Sequence, residues 1–266
     1  MSILLFSGIR FIFDKKLIYE MNLKEFNQQK IAGIPKAESL ILGDSRIMNG
    51  VNPKYLSKKA LNLGFTNLSY SKIYLKHLDK HKSSKLKKIY WGISIQSLTD
   101  YGGDQGFSNE LDPNFSKIEY YFDKIFNNPI DVWHIGKQFE KYEARKFYRG
   151  YMSLGDKEYT DSAVGPYLDN YKNFKFELKY LHRIVKFANK WKNEGVESVF
   201  FLTPSRAHKF DFDPNVSGVS KDQLEKYFRN AGITLFQFNN EKLKFVDGDH
   251  LTTESSIIFS KWLATL

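Results

Sequence analysis

The 266-residue sequence contains no cysteine, which excludes a disulfide framework, a thiol nucleophile and a thiolate zinc site. It leaves the compartment open, because exported proteins also do without cysteine. Long apolar runs are missing too. The stretch "ILLFSGIRFIF" at residues 3–13 is broken by Arg10 and followed by Lys15 and Lys16, short of the roughly 20 apolar residues that span a bilayer. It lacks the small-residue cleavage site of a secretory signal. Three readings stay open for it: a packing strand, a packing helix, or the trimmed end of a membrane anchor. Internal repeats, heptads and low-complexity tracts are absent, and so is any nucleic-acid-binding motif. The net charge of +10 would suit an anionic partner. However, the lysines are scattered (Lys82, Lys85, Lys87 and Lys88; Lys172, Lys175, Lys179, Lys186, Lys190 and Lys192) and read as solvated helix faces, so no nucleic-acid partner is expected.

What is present is a core-forming chain. Hydrophobic residues make up 42% and aromatics 16%, enough for one large α/β domain or two small ones. "AESLILG" (37–43), "ALNLG" (60–64), "KKIYWGISIQSL" (87–98), "VESVFFLTP" (196–204) and "ITLFQF" (233–238) read as strands, the first two closed by glycine. Helices are predicted over 52–60 behind Asn52-Pro53, over 69–82 behind serine, over 173–195 up to Gly195, over 220–232, and over 252–266 behind Thr252 or Thr253. Strands alternating with helices favour a parallel sheet covered on both faces. From about 101 to 170 no period holds, and the segment reads as an irregular insertion with short helices near "KIEYYFDKIF" and "DVWHIGKQFEKYEARKFY". Its aromatics (Tyr101, Trp133, Tyr148, Tyr151, Tyr159 and Tyr167) suit burial or sugar stacking. The chain thus divides into an N-terminal segment, 1–36, and a domain, 37–266, carrying that insertion.

Ligands of such sheets bind beyond the strands' carboxyl ends, where "SLILGDSRIMNG" places Ser45. A serine hydroxyl needs a base to become a nucleophile. Of the six histidines, His77, His81 and His182 lie in amphipathic helical stretches. His134 lies in the insertion, and His208, just past a strand end in "TPSRAHKF", could contact substrate. His250 in "FVDGDHLT" follows the last strand and precedes the last helix. Asp247, three residues earlier, could curl back to the far ring nitrogen and hold the imidazole's tautomer; the same residues would also make a plain turn with a helix cap. A metal centre at Asp247, Asp249 and His250 is not expected, because no distant fourth ligand is visible.

Gly43-Asp44-Ser45 at the end of the first strand, with Asp247-x-x-His250 before the C-terminal helix, resembles the SGNH (GDSL-type) hydrolase superfamily over most of residues 37–266. The resemblance implies a three-layer α/β/α, flavodoxin-like parallel sheet of about five strands. It also implies a triad of Ser45 as nucleophile, His250 as base and Asp247 as its orienting carboxylate, and no cofactor. It assigns oxyanion donors to the Ser45 N–H, to Gly64, and to a third-block asparagine. Ser94 of "WGISIQ" stands in that asparagine's place, with Gln96 near it as a substrate contact and Asn67 as a substitute donor. "LGDSR" with this altered third block looks like the branch around alginate O-acetyltransferases and the teichoic-acid D-alanylation protein. That likeness implies acetyl transfer from an acyl donor to a carbohydrate acceptor, a cell-surface polysaccharide. It further implies an extracytoplasmic site in a bacterial envelope or periplasm, an N-terminal anchor and a membrane-bound acyl-transfer partner. A carbohydrate esterase and a non-catalytic polysaccharide-binding protein of the same fold are the alternatives. Asp44 reads as a turn residue. Arg46 would either contact an anionic substrate group or pair with a nearby carboxylate.

Overall fold

The computed structural model describes residues 15–100, 146–149, 151–156, 175–206 and 212–266. In chain order its elements are α1 (Lys15–Gly33), β1 (Ser39–Gly43), α2 (Ser45–Gly50), β2 (Ala60–Gly64), α3 (Lys72–His81), β3 (Lys88–Ile93), β4 (Lys146–Tyr148), β5 (Tyr151–Ser153), α4 (Leu178–Asn193), β6 (Glu197–Leu202), α5 (Pro214–Ser217), α6 (Lys221–Asn230), β7 (Leu235–Phe236) and α7 (Thr253–Leu263). Five strands form a parallel sheet in the order β2-β1-β3-β6-β7. This is the doubly wound order whose crevice opens where the chain reverses direction, beside β1 and β3.

Alternation along the strands explains the two covered faces. Leu40 and Leu42 of β1, Trp91 of β3 and Phe200 of β6 join one cluster with Leu75, Leu78, Ile184, Trp191 and Phe228. Ile41, Tyr90, Val199 and Phe201 turn to the other side and meet Phe259 and Leu263 of α7. Successive strand side chains point to opposite faces, so continuously apolar strands must be buried on both. Burying each such side chain contributes about 1.5–3 kcal/mol. Trp91 lies parallel to Phe200 and against Trp191, each pair of rings 5.6 Å apart.

Several expected elements take a different form. The helix expected over 52–60 is a single 3-10 turn, Pro53–Tyr55, capped by Asn52 as its sequence indicates. The cap and proline start a helix, but Lys59 already accepts from the Glu38 N–H and Ala60 pairs with Ser39, so the chain leaves the helix to enter β2. The final strand shrinks from 233–238 to Leu235–Phe236. In the helix expected over 69–82, Tyr74, Leu75 and Leu78 face inward while Ile73, expected on the apolar face, is exposed. "KFY", the end of a helix expected in the insertion, is strand β4, antiparallel to β5. The remainder of that helix, the one near "KIEYYFDKIF", His134, Tyr101, Trp133, Tyr159 and Tyr167 lie outside the described residues, as does the apolar stretch at 3–13. Tyr151 is buried and shares a hydrogen bond with Ser256 of α7 at 2.7 Å, whereas Tyr148 is exposed.

Helix α1 has no strong apolar period, and its packing shows only in three dimensions. Phe26 and Lys30 are buried; the Lys30 ammonium donates to the Gly64 carbonyl at 2.5 Å and sits 4.5 Å from the Phe26 and Phe65 ring centres. The end of α1 from Phe26 to Gly33 therefore packs on the sheet edge at β2. Among the described residues no helix is long and apolar enough to cross a membrane.

Candidate active site

The β1–α2 junction is built around backbone proximity. Gly43 has φ +155°, and a Cβ there would lie 2.3 Å from Cγ1 of Ile47. Its parallel neighbour Gly64 lets the start of α2 touch β2: a Cβ would lie 2.3 Å from the Met48 nitrogen and 2.8 Å from the Asp44 carbonyl oxygen. Both glycines are thus needed so that the turn carrying Ser45 can lie flat on the sheet's carboxyl edge. Tyr70 fixes the same edge, its hydroxyl shared between the carbonyls of Leu42 and Gly92 at 3.0 and 2.8 Å.

Helix α2 is only six residues long, too short to persist without outside support. Asp44 caps its N-terminus, Oδ1 accepting from the Arg46 N–H at 3.0 Å, and the Ser94 hydroxyl donates to Oδ2 at 2.5 Å. At the other end, the fully buried Asn62 donates from Nδ2 to the carbonyls of Ile47 and Val51, both at 2.7 Å. From Leu40 to Val51 every residue is buried except Ser45, which is half-exposed. The result is one serine presented on an otherwise sealed turn.

His250 reaches Ser45 from a tight loop. Phe245 bridges Leu251, and the Val246 N–H donates to the His250 carbonyl at 2.8 Å. Inside the loop, Asp247 Oδ1 accepts from the N–H groups of Asp249 and His250 at 2.9 and 2.8 Å. The same carboxylate contacts His250 Nδ1 at 3.0 and 2.9 Å, and Nε2 lies 3.0 Å from Ser45 Oγ. An ionised carboxylate on Nδ1 holds the proton there and leaves Nε2 as an acceptor for the serine hydroxyl. Burial disfavours the Asp247 charge, but His250 and the two backbone N–H groups outweigh it and hold the carboxyl at about 2. Burial likewise opposes a charged His250, yet Asp247 overcomes it and raises the imidazole's proton affinity. Ser45, His250 and Asp247 are therefore brought together in a line able to carry a proton from Oγ to the ring.

The expected oxyanion donors fare differently. The Ser45 N–H donates to no acceptor among the described residues. The Gly64 N–H, expected as the second donor, is committed to Asn62 Oδ1 at 2.8 Å. Ser94, expected as the third, gives its hydroxyl to Asp44 and its N–H to Ser97 Oγ at 3.1 Å, so it supports the cap instead. Asn67 is an exposed turn residue with φ 54°, a left-handed conformation that asparagine tolerates. Gln96 is half-buried in the 3-10 turn that follows β3, its side chain without a hydrogen bond among the described residues. His208 lies outside the described residues.

Arg46 points into the protein. Its guanidinium is buried, with Nη2 3.4 Å from Asp249 Oδ1, which realises the expected alternative of a nearby carboxylate. Asp249 also accepts from the Ser205 hydroxyl at 3.3 Å. Asp249 thus turns toward Arg46 while Asp247 turns toward His250, and the three acid and imidazole groups of "DGDH" do not converge on one point.

Sequence reading missed Asn62, and it weighed Asp249 only as a metal ligand and not as the partner of Arg46. An asparagine inside a fully apolar strand was the available signal, since a buried amide must find partners.

No protein-family model matches the chain, and no curated protein does. Among solved structures it is similar to one from Streptococcus pneumoniae bearing the name platelet activating factor, at 12% identity and TM-score 0.43, covering 100% of this chain and 97% of that one. It is also similar to one from Agrobacterium tumefaciens str. C58 bearing the name arylesterase, at 12% identity and TM-score 0.35, covering 86% and 97%.

Proposed function

We propose that the chain is a serine-dependent acyl-transfer enzyme that works through an acyl-Ser45 intermediate. The hydrogen-bonded line Asp247–His250–Ser45 is the observation that carries this reading. His250 Nε2 takes the Ser45 proton as Oγ attacks an ester carbonyl; the leaving alcohol then receives that proton. In the second half, His250 deprotonates the acceptor, which attacks the acyl-serine, and the departing Oγ takes that proton back from the ring. The imidazolium formed within each half, before its proton passes to the departing oxygen, is stabilised by Asp247. The developing oxyanion meets the Ser45 N–H, and a good donor of this kind is worth about 3–4 kcal/mol.

Water as acceptor makes the protein an esterase; a sugar hydroxyl makes it an O-acyltransferase. The altered third block, where Ser94 serves the Asp44 cap, departs from the esterase pattern and favours a polysaccharide hydroxyl as acceptor. That reading goes with an extracytoplasmic setting and a membrane-bound acyl donor system.

A fluorophosphonate probe tests the shared step. Wild type is expected to label at Ser45, with labelling lost in Ser45→Ala and His250→Ala; a wild type inert to the probe at every pH refutes catalysis and leaves a binding role. Acetyl release from an activated ester, with and without acetyl-free oligosaccharide, tests the acceptor. A rate and product unaffected by the sugar refute transfer.

A further inference from the structure

Arg46 follows Ser45 in the chain, and Asp249 precedes His250. Their side chains meet 3.4 Å apart, at 1% and 2% exposure, behind the 3.0 Å contact of Ser45 with His250. Ser205, just past β6, joins them through its hydroxyl to Asp249, and the adjacent Arg206 N–H donates to the Gly248 carbonyl at 3.0 Å. Three separate pieces of chain converge on this buried polar node: the β1–α2 turn, the end of β6 and the histidine loop. A buried ion pair is a poor source of net stability, and two well-packed apolar side chains would serve folding as well. What it adds is direction, since a guanidinium and a carboxylate lock two backbones in one relative position.

We propose that Arg46 and Asp249 form a positioning clamp that fixes the Ser45 turn against the His250 loop and balances the charge felt by the imidazole. Its kinetic consequence rests on the acyl-serine reading; its electrostatic consequence does not. Among the described residues, the charged groups on the elements packed around His250 include Asp247 and Asp249 on its own loop, Asp44 and Arg46 at the start of α2, Arg206 past β6, Lys244 across the Phe245–Leu251 bridge, Asp156 on the segment after β5, and Glu254 at the start of α7. After burial and the dominant pull of Asp247, Asp249 raises the proton affinity of His250 and Arg46 lowers it. The clamp's two halves therefore act on the ring with opposite signs.

The test uses Arg46→Met, Asp249→Asn and the double variant in the full chain. The His250 titration is followed by NMR of the imidazole ring, assigned by its loss in His250→Asn. Arg46→Met is expected to move the His250 midpoint up, Asp249→Asn to move it down, and the double variant to bring it back toward wild type. Arg46→Lys restores the charge and the midpoint. Fluorophosphonate labelling is expected to fall about 10- to 100-fold in each single variant, the scale of an ångström-sized misplacement. Midpoints that stay at the wild-type value or move in the same direction, or labelling within threefold of wild type in both single variants, overturn the clamp. If Arg46→Met does not fold, Asp249→Asn and the charge-free double variant decide. A wild type that never labels refutes the acyl-serine reading alone, and the titration still judges the clamp.

Discussion

Replacing Asp247 by asparagine isolates the role of one carboxylate with almost no change of shape. The two oxygens of Asp247 contact His250 Nδ1 at 3.0 and 2.9 Å, and Oδ1 also accepts from two loop N–H groups at 2.9 and 2.8 Å. An asparagine whose oxygen keeps those loop bonds turns its amide N–H₂ toward Nδ1. The ring must then accept at Nδ1 and carry its proton on Nε2, which donates to Ser45 Oγ and cannot take its proton. A base in the wrong tautomer costs about 10³–10⁴ in rate, or about 4–5.5 kcal/mol at 1.36 kcal/mol per tenfold. Stability changes less. The Asp247 carboxyl is held at about 2 against an ordinary 3.8, and at 1.36 kcal/mol per unit that separation is worth about 2 kcal/mol. Because the loop bonds survive, a loss of about 1–2 kcal/mol is expected at pH 6.

The sign of the pH dependence follows from the lowered value. The contribution of Asp247 is fully present above its unfolded value of 3.8 and is lost as pH falls through about 2. Urea unfolding of wild type and Asp247→Asn at a series of pH values should show a stability gap that closes between those limits. Fluorophosphonate labelling at pH 8 gives the rate. Labelling of Asp247→Asn within threefold of wild type, with an intact fold, would refute the Asp247–His250–Ser45 relay; so would a stability gap that stays constant down to pH 2.

Three further outcomes are expected. His250 binds its proton more tightly than an ordinary imidazole, so labelling should rise with pH through a midpoint above 6.5; a midpoint below 6.5 would contradict the pairing with Asp247. The stability that the protonated ring contributes is correspondingly present below 6.5 and lost as pH rises through the raised value. Ser94→Ala removes the hydroxyl that donates to buried Asp44 and should cost about 1–3 kcal/mol by thermal or urea unfolding, with labelling of the folded fraction within tenfold of wild type; a loss of 10² or more at unchanged stability would restore Ser94 to the oxyanion site. Gly64→Ala drives a methyl to within 2.3 Å of the Met48 backbone nitrogen and should destabilise by about 1–3 kcal/mol or prevent folding, and a variant as stable as wild type would show that α2 does not lie so close to β2.

Much of the sheet could be read from the chain because its strands are apolar runs ended by glycine, proline or a polar cap. Leu40 to Leu42, Ile89 to Ile93 and Val199 to Leu202 have to be buried on both faces wherever they go. The 52–60 stretch failed for a different reason. Asn52 and Pro53 do start a helical turn, but where it stops is set by the pairing of Ala60 with Ser39, a constraint that lies in another strand. Helix α1 was missed because its inward contacts come from a mixed set, Phe26, Asn27, Lys30 and Ile31, which makes no apolar period.

The site divides along the same line. That Ser45, Asp247 and His250 come together was legible because Asp247 and His250 lie three residues apart and Ser45 follows a recognisable strand, so two local patterns only had to be brought to one sheet edge. The oxyanion assignments were not legible, because they turn on which acceptor each donor finds. Gly64 finds Asn62 within its own strand; Ser94 finds Asp44, 50 positions away in sequence. Both diversions serve one short helix. A six-residue helix forms too few internal hydrogen bonds to hold its own ends. Asp44 and Asn62 therefore cap the two ends of α2, and the donors that satisfy those two side chains are the groups expected to face the substrate. The scaffold that presents Ser45 thus draws on the same hydrogen-bond donors as an oxyanion hole would, and of the donors expected to form one the Ser45 N–H is the one that no acceptor among the described residues takes.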